Sequence, residues 1–372
     1  MLAPSVAYTL VRVLATDLDY DLPDTLIAQF PPADRDGGRM LVVGEQIEHD
    51  VVRNLAERIP QGALVVLNDT RVIRARLLGN RAGAGSSQGR GAKVEVLLLN
   101  PLDQLNETGD WQALVRCNRA LGPGEQVEVG DFRLTIGQAL EDGSRVVRSA
   151  TPLLQLAESL GHVPLPPYMR RPDTPADAER YQTVFSRQLG SAAAPTAGLH
   201  FTAPSLARLA ARGVQVGFLT LHVGAGTFRP VSAPTLAEHP MHSERFCVSP
   251  ALVAQINATK AAGKPVVAVG TTVVRALESA FGPAPDVEQL DTGNRPPRLG
   301  WQSTRLLIQP GYQFEVVDAL LTNFHAPRST LLALVFAFAG LERVKAAYAE
   351  AINQSYRFLS YGDAMWIPNR LS

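Results

Sequence analysis

The pattern of hydrophobic and polar positions changes along the chain and divides it into segments of different predicted structure. Residues 64–68 (LVVLN) form a continuous apolar run of strand length, which is typical of a strand covered on both faces. From about residue 72 to residue 150, short β-rich runs alternate with turn signals such as the Gly-Pro-Gly triplet at 122–124. This alternation predicts a small antiparallel barrel or sandwich. The β-rich runs cover residues 94–99, 111–117, 126–129, 132–136 and 145–149.

Beyond residue 152, predicted strands alternate with predicted helices, as in α/β domains. Ser329 and Thr330 offer N-caps for an apolar helix that follows them. The predicted strands are 214–222, 266–269, 304–308 and 316–322, and the other predicted helices are 250–262, 272–280 and 341–356.

The whole pattern predicts a mixed α/β main domain with an inserted small antiparallel β-barrel domain. Residues 1–16 are expected to be a disordered extension. Residues 81–92 are rich in Gly, Ser and Ala and are expected to be a flexible hairpin loop. The predicted α/β domain is discontinuous, with residues 17–70 and 152–372, and the inserted barrel covers residues 71–151.

Composition excludes several classes of protein. There are 35 Lys and Arg against 35 Asp and Glu, so the net charge is zero, which excludes a uniformly basic nucleic-acid coat but not a local basic patch. The two cysteines cannot form a disulfide framework or a thiolate zinc site. The apolar run 331–339 is far shorter than the ~20 residues that span a bilayer. We therefore expect a cytoplasmic protein with no membrane partner.

Polar, turn-forming residues follow four of the predicted strands. In open α/β sheets, ligands bind outside the carboxyl ends of the strands, so these residues are expected to share one rim. Each group alone has a structural explanation as well, such as an Asx turn or a helix cap. The groups are Asn68-Asp69-Thr70-Arg71, HVGAGTFR at 222–229, Gly270-Thr271-Thr272 and Asn323-Phe324-His325.

Two of these groups contain glycine next to hydroxyl residues. The segment 222–229 has a GxG that does not complete a dinucleotide-binding GxGxxG, so it indicates either a tight turn or a close approach of backbone to ligand. The candidate ligand contacts in it are Gly224, Gly226, Thr227, Phe228 and Arg229. Gly270, Thr271 and Thr272 open a predicted helix whose N–H groups could hold a carboxylate or phosphate, and Arg275 could add charge.

A second small-residue segment, PTAGLHFT at 195–202, precedes a predicted helix. Thr196, Gly198, His200 and Phe201 suit a pocket floor, although a capped loop is the alternative.

A histidine pair also raises the possibility of a metal site. His239, His242 and Glu244 do not have the i, i+4 spacing of a zinc helix, and Pro240 interrupts them. We therefore expect no metal.

The loop around residue 170 combines arginines with aromatic residues. This combination is typical of RNA binding, because arginines pair with phosphates and aromatic side chains stack on bases. The residues are Arg170, Arg171 and Arg180, with Tyr168 and Tyr181. A solvated loop explains this stretch equally well.

Several long segments resemble the S-adenosylmethionine:tRNA ribosyltransferase-isomerase family of the queuosine pathway, and the resemblance runs from about residue 18 to residue 367. Two positions depart from the family pattern GTTSVRTLES, because Val273 and Ala276 replace hydroxyl residues. The segments include LVVLNDTRVIRARLLG (64–79), AAAPTAGLHFT (192–202), LTLHVGAGTFRPV (219–231), VVAVGTTVVRALES (266–279) and YRFLSYGDAMWI (356–367).

The resemblance implies a reaction and its partners. Family members transfer the ribosyl unit of S-adenosylmethionine to the 7-aminomethyl-7-deazaguanine base at the wobble position of tRNA, and release adenine and methionine. S-adenosylmethionine is then a co-substrate, and no separate cofactor is expected. Family members are monomers that consist of an α/β domain and an inserted β-barrel. An RNA methyltransferase and a non-catalytic tRNA-binding protein are the alternatives.

The implied chemistry requires a base at the donor's 5′ carbon, where the sulfonium acidifies the protons. Histidine suits proton transfer at neutral pH, so His200 or His222 is expected to be the base, with no basis in the sequence for a choice. Asp69 is expected to orient a histidine or hold an amine, and His325 is the next candidate. Phe201 or Phe228 could stack on adenine. The donor carboxylate could bind Arg229 or the helix start at Gly270, and Asn323 is a further expected substrate contact.

Overall fold

The computed structural model describes residues 14–83, 91–102, 109–224, 226, 230–231, 233–282 and 296–370. The chain forms two compact units, one of residues 1–69, 195–221 and 227–372 and another of residues 70–194 and 222–226. The predicted extension and the predicted hairpin loop lie largely outside the described residues. The domain boundaries given by the sequence pattern stay a prediction.

The strands in chain order are β1 (Arg39–Val43), β2 (Ile47–Val51), β3 (Leu64–Asn68), β4 (Thr70–Val72), β5 (Arg76–Arg81), β6 (Lys93–Pro101), β7 (Trp111–Cys117), β8 (Gln126–Val129), β9 (Phe132–Ala139), β10 (Arg145–Ser149), β11 (Gln188–Ser191), β12 (Gln215–Leu221), β13 (Glu244–Val248), β14 (Val266–Val269), β15 (Gly300–Thr304), β16 (Ala319–Asn323) and β17 (Ala364–Ile367). The α-helices are α1 (Leu55–Arg58), α2 (Leu153–Leu160), α3 (Asp177–Arg180), α4 (Ala203–Ala211), α5 (Pro250–Ala261), α6 (Thr271–Phe281), α7 (Thr330–Ala339) and α8 (Leu341–Asn353).

The first unit contains a mixed sheet of nine strands in the order β15-β13-β12-β3-β14-β16-β17-β1-β2. Its centre is parallel, because β12, β3, β14 and β16 run in one direction. Every residue of β3, β14 and β16 is buried, as their continuous apolar sequences predict. The carboxyl ends of these four strands therefore meet at one edge of the sheet, where the sequence pattern predicts the rim.

The helices of this unit follow from caps and apolar faces. Ser329 accepts a hydrogen bond from the backbone N–H of Leu332, which confirms it as the N-cap of α7. Most residues of α7 are buried, as its apolar sequence requires. No helix of the described residues is long and apolar enough to cross a membrane.

The predicted strand at 304–308 is wrong, because the strand in this region is β15, which ends at Thr304. The Thr304 hydroxyl accepts a hydrogen bond from the N–H of Leu306. The apolar residues that suggested a strand leave the sheet at this point, and Ile308 is buried outside any strand.

The predicted strand at 316–322 also begins too early. The backbone N–H groups of Val316 and Val317 donate to the Glu278 carboxylate instead of to a neighbouring strand. The strand β16 therefore starts at Ala319.

The second unit contains a closed antiparallel barrel in the order β10-β7-β6-β5-β8-β9. This arrangement confirms the predicted fold class of an α/β protein with a small β-barrel. Alternate residues of its strands, among them Leu77, Val96, Trp111 and Ile136, fill the barrel core, and α2 adds Leu156 to it. A separate pair of parallel strands joins β4 to β11.

Candidate active site

Asn68, the last residue of β3, ties three elements of the first unit together. Its Oδ1 accepts from the N–H of Leu221 at 3.0 Å, and its Nδ2 donates to the Leu221 carbonyl at 2.9 Å. Its Nδ2 also lies 3.4 Å from the Thr272 hydroxyl. The side chain thus continues the strand pairing beyond the end of β3 and holds the end of β12 close to the start of α6.

Asp69 follows directly and is buried, with 6% of its surface exposed. Its Oδ1 accepts from the Thr220 hydroxyl at 2.6 Å, and its N–H donates to the Leu219 carbonyl at 2.9 Å. A buried carboxylate with a short hydroxyl bond is positioned rather than mobile. The described partners of Asp69 thus place it at the rim beside β12.

The start of α6 matches the expected helix opening. Gly270 has φ +90°, a conformation that favours glycine, and its N–H donates to the Leu321 carbonyl at 2.8 Å. No side chain of the described residues caps this helix. A β-carbon on Gly270 would lie 3.5 Å from Ala197, so the 195–202 segment approaches the helix start closely.

Arg275 lies one turn further along α6, and its charge is already balanced. It forms an ion pair with Glu244 of β13, and its Nε donates to the Leu306 carbonyl at 3.1 Å. Both charged side chains are almost fully buried, with 6% and 3% exposure. Glu244, which the metal alternative grouped with two histidines, is therefore engaged by Arg275. Among the described residues, no group of three or more His, Cys, Asp or Glu is arranged to hold a metal.

His200 ends the short 3-10 helix Thr196–His200 and is buried. Burial, opposed by a hydrogen bond to the Arg35 backbone and helped by the charge of Arg357, lowers its pKa to about 4. The Nδ2 of Asn323 lies 3.4 Å from its Nε2. Because an amide nitrogen donates, Nε2 acts as the acceptor there, and the ring is neutral.

Phe201 follows His200 and is 2% exposed. Within this segment, Gly198 and Phe201 take part in successive backbone turns, since Gly198 donates to Pro195 and accepts from Phe201. The segment is thus a tight, buried turn.

Asn323 and His325 end β16 in a buried environment. The Nδ2 of Asn323 also donates to the Leu359 carbonyl at 3.2 Å, and its Oδ1 has no partner among the described atoms. His325 contacts the Thr322 hydroxyl through Nε2 at 2.8 Å, and burial lowers its pKa to about 3. The Tyr348 hydroxyl accepts from its backbone N–H.

Leu359 was not expected from the sequence as part of this rim. It has φ +69°, which is uncommon for a residue with a side chain and is typical of positions constrained by their surroundings. The only signal in the sequence was its place in the YRFLSYGDAMWI segment. Its carbonyl fixes the amide of Asn323 that faces His200.

In the second unit, His222 lies between a hydroxyl and a glycine. Its Nδ1 is 2.8 Å from the Thr70 hydroxyl. A β-carbon on Gly190 would come within 2.9 Å of the ring atoms Cε1 and Nε2, so the ring packs directly over this glycine. The sequence pattern placed Thr70 only within the polar group Asn68-Asp69-Thr70-Arg71 and gave no signal for Gly190.

The segment that follows His222 is held by main-chain pairing within the same unit. The N–H of Val223 donates to the Ser191 hydroxyl at 2.9 Å, and its carbonyl accepts from Ala192 at 3.1 Å. Gly224 and Gly226 continue this segment, whereas the expected ligand contacts Thr227, Phe228 and Arg229 lie outside the described residues.

The three arginines expected to bind RNA differ in their surroundings. Arg171 forms a two-point ion pair with the buried carboxylate of Asp177, at 2.7 and 2.8 Å. Arg170 is exposed, and Arg180, the last residue of α3, is partly buried.

Comparison with known proteins gives a consistent result across the chain. A family model described as "Queuosine biosynthesis protein" matches residues 15–367. The chain is 46% identical over 372 residues to the S-adenosylmethionine:tRNA ribosyltransferase-isomerase of Sorangium cellulosum, covering 94% of this chain and 97% of that protein. The protein of the same name from Symbiobacterium thermophilum is 47% identical over 359 residues, with 95% and 99% covered.

A solved structure is similar as well. The crystal structure of S-adenosylmethionine tRNA ribosyltransferase from Thermotoga maritima, at 2.00 Å resolution, has 33% sequence identity and a TM-score of 0.50. The match covers 94% of this chain and 99% of that chain.

Proposed function

Because this chain belongs to the queuosine biosynthesis protein family, we propose that it is a tRNA ribosyltransferase-isomerase. It transfers and isomerises the ribosyl moiety of S-adenosylmethionine onto the 7-aminomethyl-7-deazaguanine base at the tRNA wobble position. The products are epoxyqueuosine-tRNA, adenine and methionine. The observation that carries the proposal is identity of 46–47% to relatives of that name over nearly the whole chain.

The partners and organisation belong to the same proposal. S-adenosylmethionine acts as a co-substrate without a further cofactor, and the protein works as a monomer in the cytoplasm. Residues 71–151 form a barrel domain inserted into a catalytic domain of residues 17–70 and 152–372. The family resemblance carries these points, and sedimentation of the free protein tests the monomer.

The general base at the donor's 5′ carbon is His222. A general base works best when its pKa lies near the working pH. Burial lowers the pKa of His200 to about 4 and that of His325 to about 3, so both rings accept a proton poorly at neutral pH. They serve instead as neutral hydrogen-bonding groups toward the substrates. His222 has its Nδ1 at the Thr70 hydroxyl and its ring held against Gly190.

In the first unit, the residues proposed to contact the substrates lie at the ends of β3 and β14. The N–H groups of Thr271 and Thr272 at the start of α6 bind the donor carboxylate, because a helix N-terminus favours an anion. Asp69 holds an amine of a substrate. The turn Thr196–His200 and Phe201 border the donor, and the buried, unpartnered Oδ1 of Asn323 accepts a hydrogen bond from an N–H of a substrate.

The decisive experiment measures products. Purified protein with S-adenosylmethionine and tRNA carrying the 7-aminomethyl-7-deazaguanine base should release adenine and methionine in equal amounts, one of each per modified tRNA. The control is the same tRNA with guanine at the wobble position, which should give no adenine. Formation of S-adenosylhomocysteine in place of adenine would assign the protein to the methyltransferases.

The base assignment has its own test. The His222→Gln variant should bind both substrates and lose turnover by ~10²–10⁴-fold, the usual contribution of positioned acid–base catalysis. Exchange of the donor's 5′ protons into heavy water should fall with it. Loss of exchange in His200→Gln, with normal exchange in His222→Gln, would move the base to His200.

A further inference from the structure

The outer face of the barrel carries an open groove that none of the proposed catalytic residues lines. Its volume is about 810 Å³, and strands β5, β6 and β7 form its floor. The strand register places Leu78 opposite Glu95 and Glu95 opposite Arg116, so these three side chains form a row across the strands. In the next row, Asn80 lies opposite Lys93. Both rows lie on the face opposite to the residues that fill the barrel core.

The groove is positively charged. Among the described residues that line it are three cations, Arg76, Lys93 and Arg116, and one anion, Glu95. Glu95 forms ion pairs with two of these cations, with Arg76 at 2.9 Å and with Arg116 at 3.9 Å. Lys93 is exposed and forms no ion pair with a described residue. The chain as a whole has no net charge, so this local excess of two positive charges (three minus one) marks this face as different from the average surface.

We propose that this groove binds the phosphodiester backbone of the substrate tRNA. The identity of the partner rests on the proposed function, whereas the polyanion chemistry rests on the groove. Arginine forks and a lysine point charge are the usual phosphate partners in RNA-binding proteins, and the amides of Asn80 and Asn118 can donate to phosphate or sugar oxygens. Leu78, with 44% exposure, adds an apolar contact for a ribose or base.

Glu95 gives this proposal a distinctive consequence. It now holds Arg76 and Arg116, and an incoming phosphate must compete with it for the same guanidinium groups. Replacing it with the uncharged Gln removes the competitor and leaves three cations without an anion. The Glu95→Gln variant should therefore bind tRNA more tightly than the wild type.

The first experiment measures the affinity for tRNA at several salt concentrations. In the double variant Lys93→Gln/Arg116→Gln, the slope of log affinity against log salt should fall by about 1.4–1.8, because each phosphate that is no longer neutralised removes about 0.7–0.9 from the slope. KM for tRNA should rise, while kcat should stay unchanged. The matched control is Arg133→Gln, because Arg133 is a barrel arginine with 66% exposure and one glutamate partner outside the groove. This control should keep the slope of the wild type.

The second experiment places a thiol on the groove face at Leu78, whose side chain is 44% exposed. Cys117 itself packs against the barrel core, so Cys117 and Cys247, the two cysteines of the chain, are both replaced with Ser. Bound tRNA should slow alkylation of the Leu78→Cys thiol, and the Lys93→Gln/Arg116→Gln substitutions should remove the protection. Alkylation at the same rate with and without saturating tRNA would overturn the proposal, as would an unchanged salt slope in the double variant.

The two proposals fail in different ways. If the wild type releases adenine and methionine but the groove variants keep its salt slope, the groove assignment is wrong and the activity stands. If the wild type releases no adenine, the activity is wrong, while the salt slope of tRNA binding and the protection of the Leu78→Cys thiol still decide whether the groove binds RNA.

Discussion

Replacing Gly190 with alanine tests whether the position of His222 matters for turnover. The new β-carbon would lie 2.9 Å from Cε1 and Nε2 and 3.2 Å from Cδ2 of the imidazole. Ordinary carbon contacts begin at about 3.5 Å, so the ring must retreat by roughly 0.6 Å or more. The Thr70 hydroxyl, 2.8 Å from Nδ1, would then lose its hydrogen bond. A misplacement of about 1 Å can cost ~10²-fold in rate, so we expect kcat to fall by about 10- to 100-fold.

The substitution also strains the backbone, and a matched glycine separates the two effects. Gly190 has φ +148°, where an L-residue costs about 1–3 kcal/mol. Gly143, in a barrel turn, has φ +79° and no atom within 4 Å of an added β-carbon. Gly143→Ala should therefore lower the free energy of unfolding by a similar amount, about 1–2 kcal/mol, without moving any side chain.

The assay combines urea unfolding with the rate of adenine release. Gly190→Ala should lose at least as much stability as Gly143→Ala, because it also displaces the ring, and only Gly190→Ala should lose turnover. Variants of Thr70 provide a second test, because its hydroxyl contacts the His222 ring. Thr70→Ser should retain turnover, and Thr70→Val should reduce it. Turnover of Gly190→Ala within twofold of the Gly143→Ala control would refute the reasoning, because the displaced ring would then be shown to be unimportant.

Four other variants test titratable and charged groups. Burial lowers the pKa of His325 to about 3. Between about pH 3 and pH 6.5 the ring is therefore neutral in the folded state and protonated in the unfolded state. The stability that depends on the neutral ring is complete above pH 6.5 and is lost as the pH falls through this range. The slope of unfolding free energy against pH should be lower by about 1.4 kcal/mol per unit in His325→Gln, measured by urea titration. Glu244→Gln should cost about 3–5 kcal/mol, because it leaves the charge of Arg275 buried and unpaired; a loss under 1 kcal/mol would contradict this. Arg170→Ala should weaken tRNA binding and reduce its salt dependence. Arg171→Ala leaves the buried carboxylate of Asp177 without its ion-pair partner, so it should mainly lower the melting temperature.

The elements that could be predicted are those whose signal is local. The continuous apolar sequence of β3, the glycine before α6 and the serine cap of α7 each lie within a few residues of the element they define. The strands β1 and β17 were missed, since they are short and pair with each other across more than 300 residues of sequence. Strand pairing at such separation leaves no pattern in either segment.

The candidate rim was predictable in outline for a similar reason. Polar residues at the ends of parallel strands are adjacent in the sheet whenever the strands are neighbours, and β12, β3, β14 and β16 are neighbours. The partners of those residues were not predictable. Arg275 was expected to face a ligand and Glu244 belonged to a rejected metal site, yet the two neutralise each other in the core. A pairing across 31 residues, through two different elements, has no signature in either motif.

The three candidate histidines show why their sequence motifs alone could not identify the base. Each of His200, His222 and His325 follows or precedes a similar turn of small and polar residues, so the sequence treats them alike. Their proton affinities depend on desolvation, which is set by the packing of segments distant in the chain: Arg35 and Asn323 around His200, and Thr322 and the Tyr348 hydroxyl around His325. Those two pockets keep their rings neutral far below physiological pH, which suits hydrogen bonding to a substrate and opposes proton abstraction. His222 contacts the Thr70 hydroxyl and packs over Gly190, and the variants at these two positions test it as the base.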